Sequence, residues 1–111
     1  MADQIRYSYK NINQSELEAK LDELWTQLEQ DSELVAEARK LRIPLEDLRG
    51  KKRGDVIAVT KEGEGFDPAT TALIVAFAPV AAKVARDLWT KLLLPRILKA
   101  KGKDALTPKK R

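Results

Sequence analysis

Hydrophobic positions recur along this chain with two different periods. Ile5, Tyr7 and Tyr9 alternate with Arg6, Ser8 and Lys10, the period of two that marks a strand with one buried face, and predict a strand over residues 4–12. Helical spacing follows. Leu17, Leu21, Leu24, Trp25 and Leu28 return every three or four residues and predict an amphipathic helix in which Trp25 faces the core. Ser15, with Glu18 three residues later, has the form of a capping box at its start. The pattern slips near Gln30-Asp31-Ser32 and resumes at Leu34, Val35, Ala38 and Leu41, so either one helix bends there or two helices abut. Pro44 closes this region, because the residue before a proline avoids helical angles.

Beyond Pro44, Leu45–Leu48 can form one short turn, and Arg49-Gly50-Lys51-Lys52-Arg53-Gly54 reads as a basic loop. Residues 55–61 contain Val56, Ile57, Ala58, Val59 and Thr60, a β-branched run suited to a short buried strand. Residues 62–65 form a turn in this reading, and Asp67 followed by Pro68 suits an N-cap and first helical residue. From Pro68 to Ala82 there is no charge at all. The expectation is a last helix from Pro68 to Leu94 or further. Its first part is apolar on every side. In its second part Lys83, Arg86, Asp87 and Lys91 share one side, and Val84, Ala85, Leu88, Trp89, Leu92 and Leu93 take the other. Pro79 lies inside the apolar part and implies a kink.

The order strand, helix, strand, long helix makes a small, predominantly helical α+β unit. With 111 residues, 43% of them hydrophobic, the chain fits one domain with a modest core. The domain is expected over residues 1–100, with a strand-helix-strand part to residue 65 and the long helix from 66. Residues 101–111, with Gly102, Pro108 and five basic side chains, lack a hydrophobic pattern and read as a flexible tail.

A helix that is hydrophobic all round is normally enclosed by a large core, another subunit or lipid. The leading expectation is therefore a non-catalytic interaction or effector protein that self-associates through this helix and, at a membrane, inserts or forms a pore. Its apolar part would offer Leu73, Ile74, Val75, Phe77, Pro79 and Val80, and its amphipathic part Val84, Leu88, Trp89, Leu92 and Leu93. On this view Trp89 anchors an interface, and Trp89→Ala reduces association more than folding. Lys83, Arg86, Asp87 and Lys91 oppose independent insertion, since each would cost about 2.5–3.5 kcal/mol at a bilayer centre. The competing expectation is a core helix of a small soluble domain.

Charge is divided unevenly. Residues 1–48 hold six Lys/Arg against eleven Asp/Glu, a net of −5, while residues 49–111 hold fifteen against six, a net of +9. Such a division suits an acidic half facing a basic partner and a basic half meeting an anionic surface. Arg96, Lys99, Lys101, Lys103, Lys109, Lys110 and Arg111 are the candidates for that surface contact, with anionic headgroups as the target. The alternatives are an adaptor that binds a protein partner through its acidic first helix, or a weak nucleic-acid binder through Arg49, Lys51, Lys52, Arg53 and the tail. Tyr7 and Tyr9 could stack on bases if exposed, but the strand needs them for its buried face.

Candidate chemistry is sparse. The absence of His and Cys removes the usual imidazole base, thiol nucleophile and soft metal ligands. Ser8, Ser15 and Ser32 have no base nearby in sequence. The carboxylates Glu29, Asp31 and Glu33, and again Glu62, Glu64 and Asp67, lack an EF-hand register and read as a helix junction and a turn. Gly50–Gly54 lacks phosphate-loop spacing. The expectation is no enzyme, no metal, no cofactor and no small-molecule substrate. The polar opening MADQIRYSYK has no apolar stretch of a secretion signal, and a cytoplasmic protein is expected, peripheral to or conditionally inserted in a membrane.

Overall fold

The computed structural model describes residues 3–30, 33–62 and 72–108. The alternating N-terminal segment forms β1 (Asp3–Tyr9), and the leucine-rich segment forms α1 (Gln14–Glu29), which buries Leu17, Leu21, Leu24 and Trp25. A second helix, α2 (Glu33–Lys40), buries Leu34, Val35 and Ala38. The 3₁₀ turn Leu45–Leu48 stands where one short turn is expected. One helical turn, α3 (Arg53–Val56), leads into β2 (Ile57–Glu62), and β3 (Ala72–Phe77) follows.

The long C-terminal helix opens with a 3₁₀ turn at Pro79–Ala81 and runs through α4 (Ala82–Leu88), a π turn (Trp89–Leu93) and α5 (Leu94–Lys101). A short β4 (Leu106–Pro108) ends the described chain. The four strands form one antiparallel sheet of order β2-β3-β1-β4. The α+β architecture with a long last helix matches the sequence reading.

Register explains the core. Ile57, Val59, Val75, Leu73, Phe77, Tyr7 and Leu106 project to one sheet face, and all are buried there. The opposite face exposes Gln4, Arg6, Thr60 and Thr107 and half-buries Ala58, Ile74 and Ala76. Onto the first face the C-terminal helix packs Ala85, Leu88, Trp89, Leu92, Leu93 and Ile97.

Several expectations are corrected. Residues 72–77 are a strand, not part of a helix starting at Pro68; residues 63–71, including that expected start and most of the expected 62–65 turn, lie outside the described residues. Leu73-Ile74-Val75-Ala76-Phe77 is a continuous apolar run with β-branched members, and such a run serves equally a buried strand with neighbours on both edges. β3 has β2 on one side and β1 on the other. Pro79 makes no kink inside the helix. Ala78 before it is extended (φ −60°, ψ 134°), as a residue preceding proline prefers, and Pro79 occupies the first turn, where its missing N–H is no loss.

A proline is met inside the helix at Pro95. An α-helix would drive that ring into the carbonyl of the residue four before it. The π turn just ahead, in which the Leu94 N–H donates to the Trp89 carbonyl, widens the helix there.

The cap of α1 is also shifted. Asn13, not Ser15, is the N-cap: the Glu16 N–H donates to Asn13 Oδ1 at 2.8 Å, and the Asn13 N–H to Glu16 Oε1 at 3.2 Å. Residues 101–108 are not a patternless tail. Gly102 leaves the helix at φ 114°, ψ 151°, a conformation confined in practice to glycine. The chain then turns so that the Lys10 N–H reaches the Ala105 carbonyl at 2.9 Å, with Ala105 and Leu106 buried.

Candidate functional site

The residues expected to form an interface are divided by the fold. Leu73, Val75, Phe77, Leu88, Trp89, Leu92 and Leu93 are core side chains, each no more than 2% exposed. Ile74 and Val84 are half-buried, and Pro79 is exposed. Val80 is 88% exposed. Trp89 is therefore not at an outer boundary between apolar and charged sectors. Its indole N–H donates to Tyr7 Oη at 2.8 Å inside the core, with the two rings edge to face at 5.9 Å. Burial pushes the Tyr7 phenol above its usual pKa, against the lowering effects of that hydrogen bond and of the Arg86 charge. Among the described residues no helix is long and apolar enough to cross a membrane.

Part of the divided charge is spent within the chain. Arg53 Nε bonds Asp22 Oδ1 at 2.8 Å, Arg86 bonds Asp3 at 3.0 Å, Arg96 bonds Glu37 at 2.6 Å and Lys101 bonds Glu16 at 3.2 Å. Each of these pairs joins a carboxylate of the acidic half to a cation of the basic half. Exposed pairs of this kind contribute only about 0–1 kcal/mol each, but together they select how the halves meet. Arg96 and Lys101 are thereby committed inside the molecule. Lys99 and Lys103 are exposed, and Lys109, Lys110 and Arg111 lie outside the described residues.

The basic loop behaves differently. Arg53 is drawn back, with its side chain only 13% exposed and its Nη1 donating to the Ile57 carbonyl at 3.0 Å. With Gln14 Nε2 on the Val59 carbonyl at 3.1 Å, this occupies the outer edge of β2, which would otherwise offer carbonyls to another strand. Arg49, Lys51 and Lys52 instead border a cleft of about 500 Å³, within the range of ligand pockets.

The cleft is built from α1, α2 and the chain between Ile43 and Lys52. Trp25 and Leu28 come from the last turns of α1, Val35 from α2, and Ile43, Leu45 and Leu48 from the connection. Two devices, one of backbone and one of side chain, hold the connection in place. At the end of α2 the Ile43 N–H bonds the Ala38 carbonyl and the Arg42 N–H the Arg39 carbonyl, both at 3.0 Å, around Arg42 at φ 60°. This is a Schellman closure with arginine in the place usually held by glycine. The indole N–H of Trp25 then bonds the Lys51 carbonyl at 3.2 Å, which ties the basic loop to the cleft floor.

Around the apolar floor stand Arg39, Arg49, Lys51 and Lys52, with Glu29 and Glu46. The sequence points to Arg49, Lys51 and Lys52 as loop cations and to Trp25 as a core residue, and does not join them to one another or to Leu28, Val35, Ile43, Leu45, Leu48 and Arg39. The only signal was local: a proline and short turn following an amphipathic helix, a pattern that leaves open which helix face the turn covers. Among the described residues no group of three His, Cys, Asp or Glu side chains could hold a metal ion. Comparison with family models, with curated protein sequences and with solved structures finds no match to this chain.

Proposed function

We propose that this protein is a non-catalytic interaction domain that binds a protein partner in the cleft between α1, α2 and the Ile43–Lys52 connection. The observation that carries this reading is the cleft itself: an apolar floor of Trp25, Val35, Ile43 and Leu48 opened to solvent and ringed by charge. Sites of that composition bind by enclosing one apolar group while polar edges orient the rest. The buried state of Leu88, Trp89, Leu92 and Leu93 supports giving the C-terminal helix the part of a strut, since a side chain already enclosed has no surface to offer. The partner surface thus differs from the acidic face of α1 expected from sequence.

Selection from a random displayed peptide library, with Leu45→Glu as the counter-target, tests the reading. Leu45 is half-buried at the cleft wall, so the variant should fold while the wall of the cleft becomes charged. Peptides enriched on the wild type and lost on the variant are expected; enrichment that ignores Leu45→Glu would overturn it. Light scattering and vesicle flotation address the competing surface. A monomer that leaves neutral and anionic vesicles unbound is expected, whereas salt-resistant binding to vesicles or a stable oligomer would return the work to the last helix.

A further inference from the structure

We infer that the segment bound in the cleft is acidic and inserts one bulky apolar side chain, an inference that rests on the cleft being the binding surface. The charge pattern of the molecule carries it. Four cations of the basic half, Arg53, Arg86, Arg96 and Lys101, are each paired with a carboxylate of the acidic half. Arg39, Arg49, Lys51 and Lys52 form no ion pair among the described residues, although Glu29 and Glu46 border the same cleft. The rim therefore presents a net charge of +2 that the fold itself does not neutralise, around an apolar floor.

The placement of these cations favours a peptide over a single-headed amphiphile. Arg39 comes from the last turn of α2, and the other three are spread along the loop that Trp25 ties down. Cations distributed over two elements match several carboxylates along a chain better than one headgroup at one point. The floor, with a tryptophan and branched aliphatic side chains, suits a phenylalanine, tryptophan or leucine as the anchor, the kind of residue that dominates such interfaces. Opposite charges at the rim steer the encounter and reject basic competitors. Nucleic acid is a poorer fit, because the floor offers one tryptophan edge and no row of aromatic rings on which bases could stack.

An array of twelve-residue peptides tests this, each carrying one central Phe, Trp or Leu and zero to six flanking Glu. It is read on the wild type, on Leu45→Glu and on the double variant Arg49→Glu with Lys52→Glu, after circular dichroism and denaturation confirm that each is folded. Binding is expected to rise at least tenfold between zero and four Glu, to vanish on Leu45→Glu, and to fall at least tenfold on the double variant and in high salt. If peptides without Glu bind as well, and still require an intact Leu45, the acidic inference fails and the cleft reading stands. If no peptide distinguishes the wild type from Leu45→Glu, the cleft reading fails and the inference with it. Anionic vesicles or a single-stranded oligonucleotide that bind more tightly than every peptide, with the same dependence on Leu45, would overturn the inference in favour of lipid or nucleic acid.

Discussion

The two tryptophans occupy opposite situations in one small fold. Trp89 has no exposed surface and gives its N–H to Tyr7 across the core between the C-terminal helix and β1. Trp25 is nearly as buried, at 6% exposure, yet gives its N–H to the backbone of a surface loop and borders an open cleft. The difference lies in the partner. A buried indole must find an acceptor, and one that finds it on a neighbouring core side chain closes the interior. One that finds it on a loop carbonyl organises a surface. Substitutions near Trp89 should therefore act on stability, and substitutions around the Trp25 cleft should act on binding.

The largest expected effect is at the closed end. Trp89→Ala should cost about 3–5 kcal/mol of stability, measured by denaturant unfolding, through the cavity it leaves. A variant that folds as stably as the wild type but loses partner binding would break the comparison. Tyr7→Phe should cost about 1–3 kcal/mol, because it strands the Trp89 N–H in the core. Its pH dependence sharpens the test. The folded chain keeps Tyr7 protonated to a higher pH than the unfolded chain, in which tyrosine ionises near 10. The contribution is thus intact below about pH 10 and declines as pH rises past it. The stability gap between wild type and Tyr7→Phe should narrow there.

At the open end the effects on stability are smaller and different in sign. Arg42 holds a left-handed conformation at the end of α2, a strain of about 1–2 kcal/mol for a residue with a Cβ. Arg42→Gly should raise stability by about 0.5–1 kcal/mol after allowance for the freer unfolded chain, seen as a higher denaturation midpoint with an unchanged slope. Arg49→Glu, at the exposed rim, should change stability by less than about 0.5 kcal/mol while weakening binding of acidic peptides in titration calorimetry. A large loss of stability at Arg49 would show that the rim is structural.

The contrast between the tryptophans runs opposite to the sequence expectation, which set Trp89 at an interface and Trp25 in the core; more of the fold was legible in the residues, and the exceptions have physical causes. The strand at Ile5, Tyr7 and Tyr9 and the helix around Leu17–Leu28 follow from their periods alone. The stretch Leu73–Phe77 does not declare itself, because a central strand flanked on both edges and a fully buried helix segment demand the same apolar run. Pro79 was the available signal: a proline and its predecessor suit a helix start better than a helix interior. β4 could not be read locally, since its place depends on Gly102 turning the chain back to pair with β1, a contact almost a hundred positions away. The charge division was visible, but not that Asp3, Glu16, Asp22 and Glu37 would meet cations of the other half. The cleft is hardest of all, because Leu45 and Leu48 look like core residues until the fold leaves one side of them open.

The two indole N–H signals of the nitrogen-labelled protein report separately on the closed end and on the cleft. They would be followed by nuclear magnetic resonance during titration with a Phe-centred peptide flanked by Glu and chosen from the array. The Trp25 signal is expected to shift to saturation while the Trp89 signal holds its position. Movement of the Trp89 signal with Trp25 unchanged would contradict that expectation, and would place the working surface on the C-terminal helix after all.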